Sequence, residues 1–357
     1  MTPDPYRILA QRLDTLPNGF PPTASGVELR LLQKLFSPEE AALACQLRLS
    51  LETPEQLGAR LDEPPAQLRK LLKAMTRRGL ITAGKTSGGL GFALLPFVVG
   101  FYENQNETLD TELAVLFEEY FRTGLGQALA VQPSVHRVIP VNETVKAGLE
   151  IRPFESAADI VNACQSWAVI DCICRKQKAL VGEPCEHPLD VCLVLSSAPN
   201  AFDNAPSLTS LTHQGALDTL RRAAEAGLVH SVSNNQKELW YICNCCLCSC
   251  GILRGMADLG MANVVARSSY VNQVDRDLCA LCGTCLERCS FGALTLGTEL
   301  VIDEVRCTGC GVCVIACPEN ALGLILRDGE FAPVPETNLD WLKERAQSRR
   351  LNLEEIL

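Results

Sequence analysis

Eight cysteines near the C-terminus repeat one spacing twice. Cys279, Cys282, Cys285 and Cys289 form the first run. Cys307, Cys310, Cys313 and Cys317, followed at once by Pro318, form the second. Each reads C-x-x-C-x-x-C-x-x-x-C. Three cysteines separated by two residues wrap a tight loop around three corners of a tetrahedron, and a 4Fe–4S cubane needs four thiolates at such corners. The chemistry this implies is one-electron redox work. Structural zinc uses two separated cysteine pairs and does not require the third cysteine at the same interval. Disulfides would demand an oxidising compartment. Gly283, Gly309 and Gly311 lie among these cysteines, where backbone must approach sulfide closely and positive φ is useful.

Residues 275–327 resemble the bacterial dicluster ferredoxins. In that family the last cysteine of each run serves the opposite cluster. The resemblance therefore implies one cluster on Cys279, Cys282, Cys285 and Cys317, and another on Cys307, Cys310, Cys313 and Cys289. The runs begin 28 residues apart, room for a hairpin and a short helix in each half. Strands are expected over 293–296 and 321–326. One departure is that Ser290, not proline, follows Cys289.

Ten more cysteines lie between 164 and 250. Cys164 sits among helix-forming residues and reads as a buried apolar cysteine. Nine free thiols on one domain would be an oxidation hazard without a metal. A third centre follows, with Cys172, Cys174, Cys185, Cys192, Cys245, Cys246 and Cys248 as candidate ligands. Crowded soft thiolates favour iron–sulfur, with zinc second. An apolar strand over 167–175 would put Cys172 and Cys174 on one face. If residues 245–250 are extended, Cys246, Cys248 and Cys250 share a face and Cys245 points away. His187 is open to two readings, a further ligand or, as is commoner for a lone histidine before proline, a structural residue. Arg175 is placed to offset thiolate charge. The region is similar to uncharacterised iron–sulfur proteins with a C-x-C-R strand, a C-x-H-P segment and a dense late cysteine run ahead of a dicluster tail. That resemblance implies a redox context and no substrate.

Elements that must position these residues can be read from caps and periodicity. Helices are expected over 27–36, 37–49, 53–61 and 66–78, from apolar spacing and the starts Ser37-Pro38-Glu39-Glu40 and Thr53-Pro54-Glu55. A strand from 80, a glycine-rich tip over 85–91 and a strand over 92–99 follow. This order, over 26–102, resembles a winged helix–turn–helix domain. In DNA-binding members the third helix enters the major groove. The helix over 66–78, third once the short helix 53–61 is set aside, offers Arg69, Lys70, Lys73, Arg77 and Arg78, with Lys85 at the tip. Asp62 and Glu63 beside the turn oppose DNA binding, and such folds also dock proteins. Downstream, Ser156 and Thr212 cap helices, and a hairpin over 228–233 and 238–242 leads to the late cysteines. The fold class expected is α+β multidomain: an N-terminal arm (1–25), a winged-helix-like domain (26–102), a cysteine-rich α/β domain (103–270), a dicluster ferredoxin-like domain (271–330) and a C-terminal helix (331–357).

The chain has 357 residues, 47% hydrophobic and 21% charged, enough for ordinary cores. Its net charge of −10 is uneven: residues 1–99 carry +3 and the remainder −13. An acidic electron carrier is steered towards basic redox partners. Residues 1–22 are polar and proline-broken, without the apolar core of a secretory signal, and no run suits a membrane span. The expected setting is an anaerobic cytoplasm. No G-x-G-x-x-G, Walker-type loop or Ser-His-Asp order supports nucleotide binding or acyl chemistry. Three functions remain open: an electron-transfer protein or electron-delivering subunit of an anaerobic redox complex, a redox-responsive winged-helix regulator, and an oxidoreductase with its active site at the middle cysteines.

Overall fold

The computed structural model describes residues 4–141, 144–146, 153–205, 207–261, 263–328 and 333–357. Helices and sheets are mixed. The chain divides into two units, Met1–Gln132 with Leu342–Leu357, and Pro133–Trp341.

In the first unit, helices begin where a side chain can accept the unpaired N–H groups of a first turn. The Ser37 hydroxyl accepts from the Glu40 N–H while the Glu40 carboxylate accepts from the Ser37 N–H, opening helix Pro38–Ala44. Thr53 and Gln56 repeat the device at helix Pro54–Leu61. Helices Val27–Leu35 and Pro65–Arg77 and an antiparallel hairpin, Ile81–Thr86 with Gly89–Leu94, complete this order. The tip is tighter than 85–91. Lys85, Leu90 and Gly91 are paired within the strands, because Thr86 bonds to both Gly88 and Gly89 and closes the turn there. The second strand stops at Leu94 rather than Val99, two residues before Pro96, which has no N–H for the ladder.

Residues 1–25, expected as an arm, contain helix Pro5–Asp14, which buries Leu9, Ala10 and Leu13. Its apolar stripe is too short to stand out from sequence. Arg345, in helix Asn338–Ser348, is fully buried and donates to the carbonyls of Pro17, Val131 and Ala128.

The second unit is built on a seven-stranded sheet. Its order is Thr209–Leu211, Ser166–Asp171, Asp190–Ser196, Tyr241–Cys245, Val229–Ser233, His136–Val138 and Val265–Ala266. Neighbours are antiparallel except the last pair. Val169, Leu193, Leu195 and Ile242 pack against Ile160 and Val161 of helix Ala157–Asn162 and Ala216 and Leu220 of helix His213–Glu225. Period-two alternation then sends Cys192, Cys243 and Cys245 to the opposite face. The strand expected over 167–175 ends at Asp171. Cys172 is the N-cap of helix Ile173–Leu180, its carbonyl already accepting from the Arg175 N–H.

Further along, strands Tyr270–Val274 and Leu322–Leu326 pair antiparallel, as do Leu294–Leu296 and Leu300–Ile302. Helices Thr284–Arg288 and Val312–Ile315 each open on a left-handed glycine, Gly283 and Gly311.

Candidate functional site

Two pockets lie among the C-terminal cysteines. One is lined by Cys279, Cys282, Cys285 and Cys317, with Leu296, Leu300 and Leu322 beside them. The other is lined by Cys289, Cys307, Cys310 and Cys313, with Asn272, Phe291 and Leu324. Each pocket takes three thiols from one run and the last thiol of the other. The Cys289 sulfur accepts from the Ala293 N–H at 3.4 Å and the Cys317 sulfur from the Ala321 N–H at 3.3 Å, so the two fourth positions are held alike. Burial pushes the Cys310 thiol up to about 12 and raises Cys313 and Cys285 as well. Such thiols ionise when a bound cation compensates their charge, as iron does in a thiolate-held cluster. The backbone is as close as a cluster loop requires: a Cβ on Gly309 would strike the Tyr270 carbonyl, and one on Gly311 the Thr144 hydroxyl. These residues fit a 4Fe–4S cluster.

The nine thiols between 172 and 250 separate into two groups. Six form a closed ring of thiol contacts: Cys172, Cys192, Cys243, Cys245, Cys250, Cys174 and back to Cys172. Sheet pairing places Cys192 opposite Ile170 and Cys243 opposite Ser231, while the cap residue Cys172 and the turn residue Cys250 close the circuit. Hydrogen bonds from Cys174 and Cys192 hold the Cys172 thiol well below its ordinary range against burial, and Arg175 adds to the effect. Donating to that thiolate raises Cys174 and Cys192 in turn.

Arg175 is 1% exposed and donates to the carbonyls of Pro188 and Asn244 at 2.8 and 2.7 Å. Burial opposes its charge, but the thiols of Cys172, Cys246, Cys192 and Cys245 around it hold the guanidinium protonated.

The second group is Cys185, His187, Cys246 and Cys248, whose donor atoms all lie within 4.8 Å of one another. Cys246 is buried and Cys248 exposed. Burial raises the Cys185 thiol, but hydrogen bonds involving Cys248, His187 and Ser249 outweigh it and leave it at about 6. Burial and donation to Cys185 push Cys248 up to about 12.

Of the seven candidate ligands, the structure thus brings Cys172, Cys174, Cys192 and Cys245 together, and Cys185, Cys246 and Cys248 elsewhere. The late cysteines do not share one alternation, because the strand ends at Cys245: Cys245 stays apart from Cys246 and Cys248, which turn to the other group, but it is joined by Cys250. Cys243, Cys250 and His187 are additions. Cys243 was legible as the strand neighbour of Cys245 on the same face; His187 carried no signal beyond its place in C-x-H-P.

Residues 300–323 match the model of a family described as a 4Fe-4S binding domain, a span containing Cys307, Cys310, Cys313 and Cys317. The C-terminal part of the chain therefore carries an iron–sulfur domain, with a 4Fe–4S cluster and electron transfer as its chemistry. Comparison with curated proteins and with solved structures gives no match. No helix among the described residues is long and apolar enough to cross a membrane.

Proposed function

We propose that this chain relays single electrons through two 4Fe–4S clusters, as a carrier or as the electron-delivering subunit of an anaerobic redox complex. One cluster is held by Cys279, Cys282, Cys285 and Cys317, the other by Cys307, Cys310, Cys313 and Cys289. The observation that carries this reading is the pair of four-thiol pockets, each drawing on both runs. A 4Fe–4S cluster, when bound, takes up and returns one electron. The chain supplies thiolates, apolar walls that keep water back, and N–H groups aimed at sulfur. A third iron–sulfur centre belongs on the six-thiol ring, which offers more than the four ligands a cubane takes, beside the buried cation of Arg175. The acidic charge of residues 100–357 suits a basic redox partner.

A redox-responsive regulator is the second reading. It rests on the helix–hairpin order of a winged helix and on exposed Lys70, Lys73, Arg77 and Lys85. It is weakened because Arg69 and Arg78 are paired with Glu55 and Glu40. A DNA mobility shift that fades steeply with salt would favour it. An oxidoreductase working at the middle thiols is the third. Turnover with a strong artificial reductant, lost in Cys246→Ala, would favour it.

The deciding experiment is anaerobic iron and acid-labile sulfide analysis with EPR of the reduced protein. About eight irons per chain correspond to the two C-terminal clusters and about twelve to a third on the ring. Colourless protein free of sulfide would overturn the reading.

A further inference from the structure

We propose that Cys185, His187, Cys246 and Cys248 form a mononuclear zinc site, separate from the six-thiol ring and from the C-terminal clusters. The proposal goes beyond the electron-relay reading and does not depend on it.

Distances set the nuclearity. Cys185 Sγ lies 3.0 Å from Cys248 Sγ, 3.8 Å from Cys246 Sγ and 2.9 Å from His187 Nδ1, and Cys248 Sγ lies 3.7 Å from that nitrogen. Around one zinc, with Zn–S near 2.3 Å and Zn–N near 2.0 Å, a tetrahedron has edges of about 3.5–3.8 Å. The longer two separations already match, and the shorter two need only open by under about 1 Å. A cubane instead carries its four thiolates on four different irons, which spreads the donors further apart. This quartet is too tight for a cubane and suited to a single ion.

Donor chemistry selects zinc. Three sulfurs and one imidazole make the Cys3His set of closed structural sites, with no position left for substrate. The ligands come as two short chelates, Cys185-x-His187 and Cys246-x-Cys248. Three thiolates around Zn(II) leave one negative charge, which the buried Arg175 guanidinium, whose charge acts on Cys246, would offset. Cys246 is also packed against Val191, Ala223 and Leu228, which anchors one chelate in the core. The other chelate stands in residues 183–189, a stretch without helix or strand. The ion would therefore pin that loop to the turn after strand Tyr241–Cys245, close to the ring.

The test uses the full chain prepared without oxygen. Wild-type protein is expected to hold about one zinc per chain besides its iron. Cys248→Ser and His187→Ala are expected to lose zinc to under about a tenth of that, with iron, sulfide and the EPR of the clusters unchanged. His187→Cys, which keeps four donors, should regain it. Cobalt added in place of zinc should give the intense colour of tetrahedral Co(II)–thiolate, absent in Cys248→Ser. Zinc retained in Cys248→Ser, a disulfide between Cys185 and Cys248 in wild type, or loss of iron instead of zinc from these variants would each overturn the proposal. Failure of the electron-relay reading would show separately, as missing sulfide and EPR signals with zinc still bound.

Discussion

The Asn272 side chain donates from Nδ2 to Cys313 Sγ at 3.2 Å, inside the second C-terminal pocket. Both residues are buried, and among the described residues the Asn272 Oδ1 has no hydrogen-bond partner. Reduction adds negative charge to a thiolate-bound cluster, and an N–H aimed at sulfur stabilises that added charge. Asn272→Leu is therefore expected to lower the potential of one cluster. A hydrogen bond worth about 1 kcal/mol corresponds to roughly 40 mV for one electron. EPR-monitored redox titration should show one signal moving by that order and the other staying in place. If neither moves, Cys313 does not ligate a cluster.

The equivalent loop positions differ in a way that mutation can read. Gly309 (φ +71°) and Leu281 (φ +56°) each precede the second cysteine of their run, both in the left-handed region. A Cβ at 309 would collide with the Tyr270 carbonyl and the Ser268 hydroxyl, whereas Leu281, at the edge of the first pocket, already carries its side chain and is 42% exposed. Gly309→Ala is expected to cost about four irons per chain, the content of one cubane. Leu281→Gly should keep full iron content, because it relieves roughly 1 kcal/mol of left-handed strain while loosening the unfolded chain by a similar amount. Iron analysis of both variants checks the contrast.

Arg175 joins electrostatics to architecture. Its guanidinium satisfies the carbonyls of Pro188 and Asn244 while its charge acts on thiols of both middle groups. Arg175→Met leaves one buried carbonyl and one half-buried carbonyl short of a donor and the thiolates without a counter-charge. The expected loss is about 3–5 kcal/mol, measured by urea unfolding of the anaerobic protein. Arg175→Lys keeps the charge but not the two-pronged donation, so it should fall between. A methionine variant as stable as wild type would show that the cation is dispensable.

What was legible in the sequence is what depends on local spacing. The two cysteine runs and the caps at Ser37, Thr53, Ser156 and Thr212 act within a few residues, and each cap forms. The division of the middle cysteines was not legible, because it turns on where one strand stops. Had the strand run past Cys245, Cys246 would face away from Cys245 and the late cysteines would share one alternation. Instead the Cys250 N–H bonds back to the Cys246 carbonyl, and that turn swings Cys246 and Cys248 towards residues 61 and 63 positions earlier in the chain. Contacts of that separation leave no periodic trace. The helix Pro5–Asp14 escaped for the opposite reason: its buried stripe is only a few residues long.

A polar chain lies on the ring's own face of the sheet, and it should make the second unit sensitive to acid. His136 Nε2 meets the Tyr241 hydroxyl at 2.8 Å, its Nδ1 meets the Ser231 hydroxyl at 3.4 Å, and Ser231 reaches Cys245 Sγ at 3.5 Å. Burial lowers His136 to about 4, and His230, bonded to Asn244, is also lowered by burial to about 4. Unfolded histidine takes its proton near 6.5. Between pH 6.5 and 4 the unfolded chain therefore binds more protons than the native one, so stability rises with pH across that window. The contribution is complete above 6.5 and lost as pH falls towards 4, at about 1.4 kcal/mol per pH unit for each histidine. His136→Gln removes one of these two buried histidines from the titration. Its urea midpoint is expected to fall less steeply than wild type between pH 7 and 5, even if the variant is weaker at pH 7. Metal loss in acid affects both chains alike, so the difference in slope isolates the histidine. Equal slopes would mean that His136 is protonated in the native protein, and the hydrogen bond between its Nε2 and the Tyr241 hydroxyl would then have to run from ring to phenol.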